Sequence, residues 1–110
     1  MKRTNKDNYI LIAAEDAELT EFTSELTKHH KDFETANVVV DLRSFKDLKH
    51  HQLLAFLEVS NVHREAKKSF VIVNDALAID VLPEELVVVP TLQEAEDMIQ
   101  MDEIQRDLGF

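Results

Sequence analysis

The sequence predicts one α/β domain, a largely parallel sheet covered by helices. Two observations carry this expectation. Short apolar runs alternate along the chain with segments whose apolar residues recur at helical spacing. Two of the runs, Asn37-Val38-Val39-Val40-Asp41-Leu42 and Ser69-Phe70-Val71-Ile72-Val73-Asn74, are continuously apolar inside, the pattern of strands buried on both faces.

Taken in order, Tyr9-Ile10-Leu11-Ile12-Ala13-Ala14 reads as a strand, hairpinned to a short one in residues 2–5 through a turn at Asp7-Asn8. A helix follows with Leu19, Phe22, Leu26 and Phe33 on one stripe and Asp16 as its cap. The Asn37–Leu42 strand leads to a second helix from about Leu48 to Lys68, and that helix to the Ser69–Asn74 strand. Residues 75–85 form a short irregular or helical connection ending at Pro83, and Leu86-Val87-Val88-Val89 is the last strand. Thr91-Leu92-Gln93-Glu94 has the form of a capping box, whose Thr and Glu side chains satisfy two open backbone donors at a helix start. That helix turns Leu92, Ala95, Met98 and Ile99 inward, and either continues or breaks near Asp102 into a final piece with Ile104 and Leu108. Gly109 sits where a left-handed residue ends a helix, and Phe110 folds back onto Ile104. The order is (β)β-α-β-α-β-(α)-β-α, one domain over residues 1–110.

Composition excludes several function classes. Twelve basic residues against twenty-two acidic ones give a net charge of −10, which repels phosphate backbones. The strongest basic run, His63-Arg64-Glu65-Ala66-Lys67-Lys68, is interrupted by Glu65, so neither nucleic acid nor an anionic membrane is an expected partner. No apolar run approaches the roughly 20 residues of a spanning helix. The basic start, Met1 to Asn8, is followed by no apolar core of signal-peptide length, so a cytoplasmic location is expected. With no cysteine, neither a disulfide framework nor a cysteine metal site is expected. The only glycine is Gly109, which leaves no glycine for a P-loop or a dinucleotide fingerprint.

With this order, three stretches resemble the STAS domain family, the anti-sigma-factor-antagonist fold. Asn37–Phe45 (NVVVDLRSF) is similar to that family's strand ending in Asp-Leu, and Ser69–Val73 to its next core strand. Val89-Pro90-Thr91-Leu92-Gln93-Glu94-Ala95 is similar to a joint that commonly reads Pro-Thr-x-x-Glu-Ala. The resemblance covers nearly the whole chain. It implies a STAS-like sheet with helices and a non-enzymatic, regulatory module that binds another protein without a cofactor. The family's partner surface lies around the start of the second helix, which points to Asp47, Lys49, His50, His51 and Gln52, with Phe56 on the same helix. Many members carry Asp-Ser-Ser/Thr-Gly there, and a partner kinase phosphorylates the hydroxyl. This chain has Lys49-His50-His51-Gln52 instead, with no hydroxyl and no glycine, so the phospho-switch does not carry over. Ser44, in the preceding loop, is the remote candidate for modification. The closing segment also resembles small Bacteroidetes STAS-like chains often labelled ribonuclease Z. That hydrolase needs a His-x-His-x-Asp-His zinc cluster, which is absent, so the likeness implies at most an accessory partner of such an enzyme.

Five histidines, His29, His30, His50, His51 and His63, raise a metal hypothesis. Adjacent histidines on a helix diverge, and no pair has i, i+4 spacing with a matching carboxylate, so surface histidines and no metal are expected. His50 and His51 sit near a helix start, where a weak anion contact is open to them. Ile10–Asp16 looks like the acidic first strand of a receiver domain with Asp41 as phosphoacceptor, but the 25 residues from Asp16 to Asp41 hold only one helix. Asp41 and Asp75 read more simply as turn acids that bond nearby amides. No serine lies in a Gly-x-Ser-x-Gly elbow, and Glu84-Glu85 and Asp102-Glu103 lie in charged, solvated stretches, so no enzyme is expected. The second helix has one apolar stripe, Leu53, Phe56, Leu57 and Ser60, and a second side, Val59, Val62 and Ala66. The excess either packs on a neighbouring helix, the preferred reading, or leaves a patch for a partner or a weak homodimer.

Overall fold

In the computed structural model, which describes residues 1–76 and 86–109, the chain opens with an antiparallel hairpin of β1 (Lys2–Asn5) and β2 (Ile10–Ala13). Its turn is closed where the Lys6 N–H donates to the Tyr9 carbonyl at 2.9 Å. Then come α1 (Leu19–Lys28), β3 (Val38–Asp41), α2 (Leu57–Glu65), β4 (Phe70–Val73), β5 (Val87–Val89) and α3 (Leu92–Asp107). Short 3-10 segments occupy His30–Asp32 and His50–Phe56. The sheet order is β1-β2-β3-β4-β5, and every pair after the hairpin is parallel.

Right-handed crossovers between sequential parallel strands keep their helices on one face. Phe22, Leu26, Phe33, Leu53, Phe56 and Val59 accordingly pack with Ile12, Val38, Val40, Phe70 and Ile72. On the opposite face Ala95 and Ile99 of α3 pack with Val39, Val71 and Val73, and Leu92 and Met98 rest half-buried against them. Covering β3 and β4 on both sides is what their unbroken apolar sequence requires.

Boundaries differ from the expectation in physically explicable ways. Glu18, without a side-chain cap bond, holds the N-cap of α1, so Asp16 does not cap it. The turn before it places Glu15 at φ 56, and the Ala17 N–H reaches the Ala14 carbonyl at 3.3 Å. The expected single second helix is a 3-10 coil running into α2. Leu53, Phe56 and Val59 recur every three residues, the period of a 3-10 coil, and all three are buried. Of the expected second side, Val59 is buried in the core, while Val62 and Ala66 are exposed and belong to neither core cluster.

Helix ends follow local chemistry. α2 ends in a Schellman arrangement, with Lys67 N–H on Arg64 O at 3.0 Å and Lys68 N–H on His63 O at 3.4 Å. Lys67 takes the left-handed position usually given to glycine, at φ 67. α3 runs unbroken, capped where Thr91 Oγ1 accepts the Glu94 N–H at 3.1 Å, and stops at Gly109 with φ 84. The 75–85 connection falls, from 77 on, outside the described residues, as does Phe110. No helix among the described residues is long and apolar enough to cross a membrane.

Candidate functional site

Parallel β2, β3 and β4 release their chains at one edge, the carboxyl end where open α/β sheets hold ligands. Asn74, 3% exposed, organises that edge. Its Nδ2 donates to the carbonyls of Leu42 at 2.9 Å and Phe45 at 3.2 Å, and its Oδ1 accepts the Ala76 N–H at 2.9 Å. One buried amide thereby ties the exit of β4 to the loop that follows β3.

Asp41 closes the base of that loop as a turn acid. Its Oδ1 accepts from the Arg43 backbone N–H at 3.0 Å and from Arg43 Nε at 2.9 Å, and its Oδ2 accepts from Nη2 at 2.8 Å. Burial works to raise the Asp41 pKa, but the Arg43 hydrogen bonds and charge, with Lys46 beyond, outweigh it and hold the carboxyl below its usual range. Lys46 Nζ stands 3.6 Å from Asp75. Glu15, Asp41, Arg43, Ser44, Lys46 and Asp75 thus line an open depression of about 430 Å³. Glu15 joins Asp41 there and Asp16 does not, and α1 is the only α-helix between β2 and β3, too few elements for a receiver-type order.

Beyond the depression, buried and exposed residues interleave. Leu42, Leu48 and Leu53 are buried, while Ser44, Lys46, Asp47, Lys49 and His51 are exposed. His50 is the first residue of the 3-10 segment. Gln52 is half-buried and works locally, its Oε1 accepting the Lys49 N–H at 2.7 Å. Phe56 offers no surface to a partner. It is 0% exposed, its ring 6.3 Å from that of Phe22, so it anchors the segment from beneath.

The expectation of surface histidines fails at His63, which is 0% exposed. Its Nε2–H donates to the Ala36 carbonyl at 2.7 Å, so its Nδ1 accepts from His30 Nε2 at 2.9 Å. The ring also meets Phe70 edge-on at 5.9 Å. Burial, joined by the charges of His30, Lys68 and Arg106, holds its pKa below the usual histidine range despite the Ala36 bond. Its spacing was the available signal: it lies seven residues after Phe56 and four after Val59, on the buried stripe. Among the described residues, no group of three His, Cys, Asp or Glu is placed to hold a metal.

The amino end of the sheet is latched to α3 by acids expected in solvent. Glu103 accepts from Asn37 Nδ2 at 2.7 Å, and Asn37 Oδ1 accepts the Ser69 N–H at 2.9 Å. Asp102 accepts from Ser69 Oγ at 2.7 Å, and Arg106 donates to the same hydroxyl at 2.8 Å. Asp102 and Glu103 are therefore structural and half-buried.

No family model matches the chain, and no curated protein matches it.

Proposed function

We propose that the chain is a non-catalytic, protein-binding module of STAS type that docks its partner through the rim from Ser44 to His51. One observation carries the reading. Exposed Ser44, Lys46, Asp47, Lys49 and His51 ride on a loop pinned from below by Leu48 and Leu53 and at its base by Asn74. A polar loop on a rigid scaffold is the usual form of a recognition surface. The resemblance adds support, because β3 ends at Asp41 with Leu42 directly after it, Pro90-Thr91 leads into α3 with Thr91 as its cap, and the family's partner surface surrounds the start of the segment after β3. Residues 49–52 carry no hydroxyl, so phosphorylation at the usual position forms no part of the proposal.

The test is affinity isolation of the tagged chain from its native cells, beside the variant Asp47→Ala/Lys49→Ala/His51→Ala. All three side chains are exposed, so the variant should keep its fold, as checked by circular dichroism, and lose the protein that the parent retains. Retention of the same protein by the variant would place the interface elsewhere.

A further inference from the structure

α3 is the one described helix on its face of the sheet, and its inward side is fully used. Ala95 and Ile99 fill the core, and Glu96 accepts the Tyr9 hydroxyl at 3.2 Å. The same helix nevertheless carries Met101, Ile104 and Leu108 at 55%, 60% and 67% exposure. Spacings of three and seven residues align them on one stripe, on the side turned away from Ala95 and Ile99. Neither core cluster includes them.

Charge defines what could cover this stripe. α3 holds six acids, Glu94, Glu96, Asp97, Asp102, Glu103 and Asp107, and one base, Arg106, which is turned to Ser69. Glu94 lies seven residues before Met101 and Asp97 seven before Ile104, so both extend the stripe, and both are exposed. The outer face is thus an acidic half followed by an apolar half, with Asp107 exposed at the side.

We propose that this face docks a basic amphipathic helix of another protein, with apolar residues at i, i+3 or i+4 and i+7 and lysine or arginine alongside. A second copy would bring together two chains of net charge −10, and an anionic membrane would be repelled by the same charge. Three apolar side chains are too few for the roughly 1,600 Å² of a standard stable interface, and from Met101 to Leu108 they span about two turns, a length along which one short helix can lie. Flexible Met101 lets the seam adjust to its guest.

The probe is a fluorescent peptide of leucine and lysine, about 18 residues or five helical turns long, titrated by anisotropy. Saturable binding is expected, with shifts of backbone amide resonances concentrated on α3. The variant Met101→Gln/Ile104→Gln/Leu108→Gln should bind at least about tenfold more weakly with its circular dichroism unchanged, and Glu94→Gln/Asp97→Gln should also weaken binding. A leucine–glutamate peptide should not bind. Equal binding by the triple glutamine variant would reduce the effect to bulk charge attraction and overturn the proposal. So would resonance shifts confined to Ser44–His51, or a self-association by sedimentation that the triple variant abolishes.

Discussion

Replacing His63 with glutamine should flatten the pH dependence of stability on the acid side of neutrality. His63 is completely buried, and its neutral form is specified atom by atom: Nε2 donates to Ala36 O and Nδ1 accepts from His30. Its folded-state pKa is depressed, chiefly by burial and then by the charges of His30, Lys68 and Arg106. The unfolded chain, with a histidine pKa of about 6.5, takes up a proton that the folded chain refuses. This contribution to stability is fully present above about pH 6.5 and is lost as the pH falls below it. One proton sets the ceiling, about 1.4 kcal/mol per pH unit. The assay is urea unfolding followed by circular dichroism at about pH 7.5, 6.5 and 5.5, for the parent and for His63→Gln. Glutamine keeps a donor for Ala36 but cannot refill the space beside Phe70, so the variant should start about 1–3 kcal/mol lower and then lose less on acidification. Parallel pH profiles for the two proteins would refute the assignment of His63 as a buried neutral histidine.

Three further outcomes are expected. Lys67→Gly should raise stability by about 0.5–1 kcal/mol, because Lys67 holds the left-handed residue of the α2 Schellman end, whereas Lys67→Ala should bring no gain. Ser60→Ala should leave stability unchanged or raise it by up to about 1 kcal/mol, since Ser60 Oγ is buried with no hydrogen-bond partner among the described residues. Asn74→Ala should cost about 2 kcal/mol or more in chemical unfolding, because it strands the Leu42 and Phe45 carbonyls and the Ala76 amide.

Much of the fold was legible because strand burial is written in short-range pattern. Val38–Val40 and Phe70–Val73 are apolar throughout since helices cover both faces, and the Asp7-Asn8 turn and the Thr91 cap act within a few residues. Reading failed where a residue's role depends on distant chain. His63 looks like a surface histidine until Ala36 and His30 arrive from 27 and 33 residues away. Asp102 and Glu103 look solvated until Ser69 and Asn37 meet them across the sheet edge. Phe56 shares its helix with the expected partner surface, yet its ring turns to Phe22. Of the remaining candidates, Asp47, Lys49 and His51 are exposed together on the rim, while Gln52 is occupied in capping Lys49. Met101, Ile104 and Leu108 stand outside both core clusters for a physical reason: helical spacing puts them on the side of α3 turned away from Ala95 and Ile99.

Site-specific photocrosslinking in the native cells tests the rim most directly. A benzophenone side chain replaces Lys49 on the rim in one variant, and in a control it replaces Lys28, exposed at the far end of α1. Docking through Ser44–His51 is expected to give one discrete crosslinked protein from position 49 and none from position 28. A crosslink from position 28 alone, or no protein crosslink from position 49, would contradict it.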